Sequence, residues 1–406
     1  MTNEVLIVGG GLNGPVLALA LASGGIPSRV LDAAPEATLR DPEFDGRAYA
    51  LAISSVRMLK ALGIWDDVAA NAQAINDIKI SDGHAGEGAS PLFLHFDHRE
   101  IEEGPMGHFL EDRFLRTALL DAVAAHPLIT QESETKVTAQ TITPGGATVT
   151  LQTGETRDGL AVVGCDGRAS QVAMRAGIKR TEWGYDQTSL VAAIAHEKPH
   201  HGVAHQFFMP SGPLAILPLP GNVSSIVWTE QADRAAQING MGDTDYLEIL
   251  RPRFGDFLGP IKLVGARYSY PLGLSLANSL TAPRVALAGD AAHGIHPLAG
   301  QGLNLGLRDV AALAQVMIEA KRRGEDIGAA DVLERYRRWR SFDIAALAAT
   351  TDTINRVFSN DNPLLRVGRD LALGAINQMP ALRRTFIRQA AGLSGELPEL
   401  LKGRIV

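Results

Sequence analysis

Short apolar runs recur along the chain and predict buried strands. They cover residues 5–8, 28–31, 160–164 and 284–288, and the first and last are followed by apolar residues at helical spacing. Strands that alternate with helices are typical of a parallel sheet with helices packed on its faces. The pattern therefore predicts an α/β fold.

The loop after the first strand has the spacing G-x-G-x-x-G. Its motif residues are Gly9, Gly11, Leu12, Asn13 and Gly14. The first two glycines allow a tight turn and close approach of a pyrophosphate, and the third lets the helix pack on the strand. The second strand ends at Asp32, about 20 residues further on, where a carboxylate meets the ribose hydroxyls in this type of site. These features predict a dinucleotide-binding unit.

A second glycine-rich loop follows the strand at 284–288. It starts with Gly289 and Asp290 and reaches a predicted helix N-terminus at Gly300, Gln301, Gly302, Leu303 and Asn304. Asp290 can accept hydrogen bonds from a polyol. Free backbone N–H groups at the helix N-terminus can face a developing negative charge, helped by the helix dipole. A reduced flavin, with its hydroxylated chain and electron-rich ring, fits both features.

Composition and charge narrow the functional classes. Lys and Arg total 38 against 45 Asp and Glu, and the formal net charge of −7 gives no general attraction to nucleic acid. Cys165 is the single cysteine, so no intrachain disulfide can form. The first strand begins by residue 5 without a signal-like segment, and no apolar run approaches the ~20 residues that span a bilayer. We expect a cytoplasmic enzyme.

Three motifs together resemble one enzyme family. Besides the two glycine-rich loops, the apolar run at 160–164 leads through Cys165 into Asp166-Gly167. This combination resembles the single-component FAD-dependent aromatic hydroxylases with the p-hydroxybenzoate hydroxylase fold. The stretches GRAYAL at 46–51, LGIW at 62–65 and GPLAILPL at 212–219 look like the ubiquinone-biosynthesis hydroxylases within that group. The similarity spans nearly the whole chain.

The resemblance and the order of the segments imply interleaved lobes. We expect a Rossmann-like FAD-binding lobe, a β-sheet substrate lobe and a helical C-terminus. The FAD-binding segments are 1–75, 105–180 and 275–345, the substrate segments are 76–104 and 181–274, and the C-terminal helices are 346–406.

Carried over to matching positions, the resemblance implies a set of cofactor contacts. Asp32 would hold the adenosine ribose of FAD and Asp290 the ribityl chain. Arg47 and Arg113 match family arginines near FAD. Residues that would border the flavin ring are His296, Pro297, Gly300, Gln301 and Gly302.

Asp166 belongs to a motif that the family uses for both flavin and nicotinamide contacts. Seven positions after this aspartate, where the family commonly has arginine, the chain has Ala173, and Arg175 follows two residues later. The resemblance therefore supports the nicotinamide contacts less than the flavin contacts.

The resemblance also implies a reaction. NADPH or NADH would reduce FAD, O2 would form a flavin hydroperoxide, and its distal oxygen would attack a polyprenylated phenol in ubiquinone biosynthesis. The G-x-S-x-G, H-E-x-x-H and Walker motifs are absent from the sequence, which argues against hydrolysis and phosphoryl transfer. The residues do not identify a catalytic acid or base, or the ring carbon that is hydroxylated.

Two alternatives stay open at this stage. One is another flavin enzyme, such as a prenyl-lipid reductase or a halogenase, although no tryptophan begins the W-x-W-x-I-P halogenase signature. The other is a flavin-binding structural subunit of a quinone-biosynthesis complex. Intact glycine-rich and Gly-Asp motifs favour catalysis over the second alternative.

Several further side chains have both a functional and a packing interpretation. Candidates for an aromatic substrate pocket are Phe207, Leu217, Trp228 and Tyr270, and packing within the sheet explains them equally well. The cluster of His196, His200, His201 and His205 lacks a recognisable metal pattern, so we expect a solvated loop and no metal site. Cys165 is expected to be a small core side chain.

The C-terminal segment predicts two amphipathic helical stripes. The first contains Leu364, Val367 and Leu371, and the second contains Leu382, Phe386, Ala390 and Leu393. Arginines exceed acids between residues 364 and 393, with Arg366, Arg369, Arg383, Arg384 and Arg388 against Asp370. The stripes either meet an anionic membrane surface or a partner protein, or pack on the FAD lobe or at a homodimer contact.

Overall fold

The computed structural model describes residues 3–42, 47–86, 88–90, 92–295, 300–358 and 373–406. Predictions for His296, Pro297, Arg366, Arg369 and the stripe of Leu364, Val367 and Leu371 fall outside these ranges.

Helices alternate with strands through much of the chain. The helices are α1 (Asn13–Ser23), α2 (Glu36–Leu39), α3 (Ile53–Ala61), α4 (Trp65–Val68), α5 (Asp112–Ala125), α6 (Gln171–Arg175), α7 (Ala232–Asn239), α8 (Asp243–Phe254), α9 (Gln301–Arg322), α10 (Ala330–Phe358) and α11 (Pro380–Ala390). The first ten strands are β1 (Val5–Val8), β2 (Ser28–Leu31), β3 (Ala48–Ala52), β4 (Gln73–Ile75), β5 (Asp77–His84), β6 (Gly88–Ala89), β7 (Leu94–Asp97), β8 (Gly107–Glu111), β9 (Ile129–Glu132) and β10 (Val137–Thr143). They are followed by β11 (Gly146–Leu151), β12 (Thr156–Gly159), β13 (Ala161–Gly164), β14 (Arg180–His196), β15 (Val203–Met209), β16 (Gly212–Leu219), β17 (Val223–Gln231), β18 (Ile261–Ala277), β19 (Thr281–Ala282), β20 (Val285–Leu287) and β21 (His293–Gly294).

The predicted apolar strands lie in one sheet. In the described residues its order is β19-β20-β13-β1-β2-β9, and all pairs are parallel except β19 with β20. Strands β1, β13 and β20 are buried throughout, as expected for a parallel sheet covered on both faces. Helices α1 and α9 pack beside each other on this sheet. The α/β prediction is confirmed.

A second, nine-stranded sheet in the described residues has the order β21-β18-β14-β17-β16-β15-β5-β6, with β7 paired to β5. The β5 to β7 segment leaves the first part of the chain and joins β15 in parallel. Side chains alternate between the two faces of a sheet. One face packs on α7 and α8, and the other packs on β3, β8 and α11.

Two long strands connect the regions. Strands β14 and β18 each have 17 residues and are antiparallel. Arg180 pairs with Ala277 at one end, and His196 pairs with Ile261 at the other. At one end β18 also pairs with β21, directly after the Gly289-Asp290 turn. The same ladder therefore reaches from that turn into the middle of the large sheet.

The C-terminal region contains α10 and α11. Helix α10 runs without a break from 330 to 358 and so spans the predicted boundary between 345 and 346. In α11 the buried side chain is Ile387, and Ala391 just beyond the helix is also buried, whereas Phe386 is 41% exposed. The helix packs on the Ile53 and Leu94 cluster through Ile387, so that Phe386 of the predicted stripe faces away from this cluster while Leu393 packs against it.

Candidate flavin-binding site

The first glycine-rich loop places Asp32 beside the backbone of α1. The Asp32 carboxylate accepts hydrogen bonds from the N–H of Gly10 at 2.5 Å and the N–H of Ala34 at 2.7 Å. It thus stands at the carboxyl end of β2, where ligands bind in open α/β sheets. The position fits the ribose contact expected for Asp32.

Two glycines of this loop allow close packing of chain segments, and a third leaves space for a ligand. A Cβ on Gly14 would lie 1.9 Å from the Gly9 carbonyl oxygen, and a Cβ on Gly9, whose φ is +110°, would lie 2.3 Å from the Cys165 carbonyl oxygen. These two glycines allow α1 and β13 to approach the loop. A Cβ on Gly11 would meet nothing within 4 Å, so the backbone at Gly11 is open to a ligand.

Asn13 brings the two glycine-rich loops together. A Cβ on Gly289 would lie 2.1 Å from the Asn13 amide nitrogen, and a Cβ on Gly306 would lie 2.7 Å from it. The Asn13 amide oxygen is buried and has no hydrogen-bond partner among the described residues. An orphaned acceptor between the two loops fits a site that binds a polar cofactor.

Asp290 projects from the turn after β20 and keeps an accessible carboxylate. Its side chain is 47% exposed and lies 3.5 Å from the Arg168 guanidinium. Arg180 fixes the backbone of the same turn through the carbonyl oxygens of Asp290 and Ala291. Arg168 and Arg180 were not singled out from the sequence, because they reach the turn from distant segments.

A buried ionic network holds the backbone of the Gly289-Asp290 turn in place. One Asp309 oxygen accepts the Gly289 N–H at 3.1 Å and lies 2.5 Å from His293 Nε2. The other oxygen accepts a hydrogen bond from Arg340 Nε at 2.8 Å, and Arg340 also binds Asp343. Burial alone would raise the pKa of Asp309, but His293 and Arg340 hold that pKa below its ordinary value. In the sequence, the sign of this network is Asp309, an acid on the apolar face of α9, because a buried carboxylate requires a partner.

Asp166 has a structural task that the sequence analysis did not predict. Its carboxylate accepts hydrogen bonds from Ser170 Oγ at 2.5 Å, from the N–H of Gln171 at 2.8 Å and from the N–H of Val172 at 3.0 Å. It therefore accepts free N–H groups of the first turn of α6, whose N-cap is Ser170. The side chain of Arg175 is directed to the Val137 carbonyl oxygen of β10.

The N-terminus of α9 faces the same region. Gly300 precedes it with φ +62°, and a Cβ there would lie 2.8 Å from the Ala50 side chain. A Cβ on Gly302 would meet nothing within 4 Å. Gln301, Gly302 and Leu303 lie in the first turn, where backbone N–H groups lack partners within the helix. This end of α9 can therefore accept an anionic group.

Asn304 follows directly in the same helix, but its amide is fully occupied. The oxygen accepts hydrogen bonds from the N–H of Ala52 and the hydroxyl of Ser55, and the nitrogen donates to the carbonyl oxygens of Ala50 and Gly300. The side chain joins α9 to β3, which leaves only its backbone for a cofactor.

Arg47 and Arg113 lie near each other at the start of α5. Arg47 lies 3.3 Å from Asp112, a buried carboxylate that also accepts hydrogen bonds from Tyr49 and Arg116. Arg113 donates to Glu111 at 2.7 Å and stacks over Phe114. Both guanidinium groups are partly exposed.

The predicted substrate residues lie on opposite faces of the large sheet. Phe207 and Trp228 are buried against α7 and α8. The strand register places Leu217 and Tyr270 together on the other face. On that face Leu217 packs in the cluster that contains Ala50. Ala50 in turn contacts Gly300. This placement favours packing for Trp228 and brings Leu217 towards the α9 N-terminus.

The histidine cluster is partly buried, which contradicts the expected solvated loop. His196 contacts the Lys198 carbonyl oxygen and Ser224, and His200 contacts the Leu219 carbonyl oxygen and accepts the Gly202 N–H. The described residues contain no group of three or more side chains suited to a metal ion. Burial raises the pKa of the Cys165 thiol, which keeps it protonated.

Comparison with known proteins agrees with this geometry. Residues 2–350 match the family described as an FAD binding domain. Ubiquinone hydroxylase UbiL of Rhodospirillum rubrum is 43% identical, over 98% of this chain and 92% of that protein. The 3-demethoxyubiquinol 3-hydroxylase of Escherichia coli is 35% identical, over 97% of this chain and 100% of that protein. The crystal structure of p-nitrophenol 4-monooxygenase PnpA from Pseudomonas putida has a TM-score of 0.80 at 20% identity, over 100% of both chains.

The fold and the site define a flavoprotein monooxygenase with the p-hydroxybenzoate hydroxylase-like fold. More narrowly, the chain belongs to the ubiquinone-biosynthesis hydroxylase family of FAD-dependent aromatic monooxygenases. None of the helices in the described ranges combines the length and apolarity that a bilayer crossing requires.

Proposed function

We propose that this protein uses NADPH or NADH and O2 to hydroxylate a polyprenylated phenol in ubiquinone biosynthesis. The observation that carries the proposal is the pair of carboxylates, Asp32 and Asp290, at the ends of two strands joined through Asn13. The names of the relatives, ubiquinone hydroxylase and 3-demethoxyubiquinol 3-hydroxylase, support the substrate class.

Each end of the cofactor has a matching group in this chain. Asp32 would accept hydrogen bonds from the adenosine ribose and Asp290 from the ribityl hydroxyls. Arg47 and Arg113 would meet phosphate oxygens, and the N-terminal turn of α9 would stabilise negative charge on the ring. FAD, when bound and reduced, supplies the electrons and the activated oxygen for hydroxylation.

The protein's part in the reaction is positioning and exclusion of water. The cluster of Ala50, Leu217 and Leu219 covers the face of the large sheet nearest the α9 N-terminus with apolar side chains. An apolar wall suits a prenylated ring and keeps bulk water from an oxygen-activating centre.

The polyprenyl chain of such a substrate would hold the substrate in a membrane. We propose that α11 provides a peripheral contact between the protein and this membrane. Arg384 and Arg388 are exposed on α11, whereas Arg383 is bound to Glu100 at 2.8 Å. Exposed arginines near a lipid surface favour anionic headgroups. Contact with a quinone-biosynthesis complex or a second copy of the chain would use the same face.

Isotope labelling tests the reaction. Purified holoenzyme is supplied with NADPH, ¹⁸O2 and a short-chain prenylated phenol, and the product is analysed by mass spectrometry. One labelled oxygen atom is expected in the product, and oxidation of NADPH should increase when the phenol is present. Label derived from water, or a product without added oxygen, would exclude a monooxygenase. Absence of NADPH oxidation and of product, with or without the phenol, would favour a structural subunit. Repeating the assay with NADH identifies the preferred reductant.

A further inference from the structure

A second cavity lies on the face of the large sheet that packs on α7 and α8. Its volume is about 770 Å³, within the range of sites for small molecules. Its floor is formed by Lys79 and Ser81 of β5 and by His205 and Phe207 of β15, which share a face because Lys79 pairs with His205 and Ser81 with Phe207. We call it the outer-face cavity.

The outer-face cavity is separate from the flavin-binding site. Ala204 and Ile80, which alternate with its floor residues, point to the opposite face and pack in the cluster with Ala50. The sheet itself therefore stands between the cavity and the N-terminus of α9. A ligand in the cavity cannot be the group that meets Asp32 or Asp290.

The walls of the cavity are aromatic. The ring centroids of His205 and Phe257 are 4.6 Å apart, and those of Phe254 and Phe257 are 5.8 Å apart in a stacked arrangement. Phe257 is 39% exposed and Phe93 is 37% exposed, which is unusual for large apolar side chains unless a ligand or partner covers them. The walls fit a flat aromatic group.

Three polar side chains of the cavity, Ser81, Lys79 and Lys198, have groups free to meet a ligand. The Ser81 hydroxyl is buried, with the residue 3% exposed, and it has no hydrogen-bond partner among the described residues. Lys79 and Lys198 also line the cavity, and neither makes an ion pair in the described part of the chain. The acid on the lining is Asp256, while Arg253 is paired with Glu230. The excess of positive charge favours an anion.

We propose that the outer-face cavity binds a small aromatic carboxylate. The ring would lie against Phe93 and Phe257, the exposed aromatic side chains of the lining, and the carboxylate would meet the ammonium groups of Lys79 and Lys198. The Ser81 hydroxyl would donate the hydrogen bond that it does not make within the protein. Burial, with Lys79 close by, lowers the pKa of His205 to about 4, so its ring stays neutral at physiological pH and adds an uncharged aromatic wall.

Calorimetric titration of the FAD-loaded protein with 2-naphthoate tests the proposal. We expect one bound naphthoate that leaves the flavin absorption spectrum unchanged, and weaker binding of the neutral 2-naphthamide. Lys79→Gln and Lys198→Gln should each weaken naphthoate binding about tenfold, since each removes a charged hydrogen bond. Lys262→Gln, an exposed lysine of β18 outside the cavity, is the matched control.

Ser81→Ala separates ligand binding from folding. Because the hydroxyl has no partner in the protein, this variant should keep the wild-type melting temperature and yet bind naphthoate several-fold more weakly. Ser28→Ala removes another buried, unpartnered hydroxyl, far from the cavity in β2, and should leave binding unchanged. The proposal is overturned by absence of binding, by equal binding of the amide, by lysine variants with wild-type affinity, or by binding that perturbs the flavin spectrum. None of these results bears on phenol hydroxylation.

Discussion

Asp309 and His293 form a buried pair, with His293 Nε2 2.5 Å from an Asp309 carboxylate oxygen. Both side chains are at most 1% exposed. Since the same carboxylate oxygen accepts the Gly289 N–H, a residue in the third turn of α9 fixes the turn that presents Asp290. The position of a proposed cofactor ligand is thus set by a residue that need not contact the cofactor.

Asp309→Asn should destabilise the protein strongly. It removes the charge opposite Arg340, and loss of one partner from a buried ion pair typically costs about 3–5 kcal/mol. Urea denaturation of the holoenzyme measures the change in the free energy of unfolding. Glu334→Gln, which removes an exposed partner of Arg337, is the control and should have little effect. Equal stability of both variants would show that the network is not needed for folding.

The same pair predicts a pH dependence of stability. The folded-state pKa of Asp309 lies below its ordinary value, so its contribution is fully present above about pH 4, the ordinary pKa of aspartate, and is lost as the pH falls through the lower folded pKa. The free energy of unfolding of wild-type protein should therefore decrease more steeply below about pH 4 than that of Asp309→Asn. Parallel pH profiles for the two proteins would contradict this assignment.

Asp290→Ala should weaken FAD binding without unfolding the protein. A polyol left without its acceptor typically loses about 1–3 kcal/mol, which corresponds to a rise of roughly five- to 150-fold in the FAD dissociation constant. Flavin fluorescence titration of the apoprotein measures this dissociation constant. Asp67→Ala, an exposed aspartate in α4, is the control. Wild-type affinity in Asp290→Ala would remove the assigned role, and a preference for FMN over FAD would contradict the role of Asp32.

Asp166→Ala should lower the free energy of unfolding by about 1–2 kcal/mol, because it removes the acceptor of two backbone N–H groups at the start of α6 and of the hydroxyl of its N-cap, Ser170. Asp166→Asn keeps an acceptor for the α6 backbone and should lose less. Thermal denaturation and the KM for NADPH are measured together. If KM rises in both variants while stability does not change, the Asp166 carboxylate acts on the nicotinamide cosubstrate and its contacts with α6 are secondary.

The arginines of α11 divide into two groups. Replacing Arg384 and Arg388 with Gln should reduce binding to anionic phosphatidylserine vesicles at least tenfold, at about 1 kcal/mol for each charge near the surface. Arg383→Gln should instead release the contacts with Glu100 and Asn377 and lower the melting temperature. Co-sedimentation with anionic and neutral vesicles measures the binding. Wild-type protein that binds neither vesicle would end the proposed membrane role.

The sequence was most informative where the backbone itself limits the choice of residue. Gly9 and Gly14 were recognised because close approach of chain segments leaves no room for a Cβ, and β1, β13 and β20 because a covered parallel sheet needs continuous apolar runs. These features are local, and they predicted the main sheet and the two loops of the site.

Features that depend on distant segments could not be predicted in this way. The structural role of Asp166 required a short helix, α6, without an apolar stripe, and the burial of His196 and His200 depends on carbonyl and hydroxyl groups from other loops. The face on which Trp228 lies is set by the packing of α7 and α8. Pattern alone does not show which strand face will be covered.

The ladder of β14 and β18 limits how the enzyme can admit a large substrate. These strands pair at both ends and in the middle, with two irregularities, from the pairing of β18 with β21 near Asp290 to the far end of the large sheet. Hinged separation of the two halves of the molecule would break many of these hydrogen bonds at once. Entry and exit of a lipid-like molecule must therefore depend on side-chain and loop movements around a rigid frame.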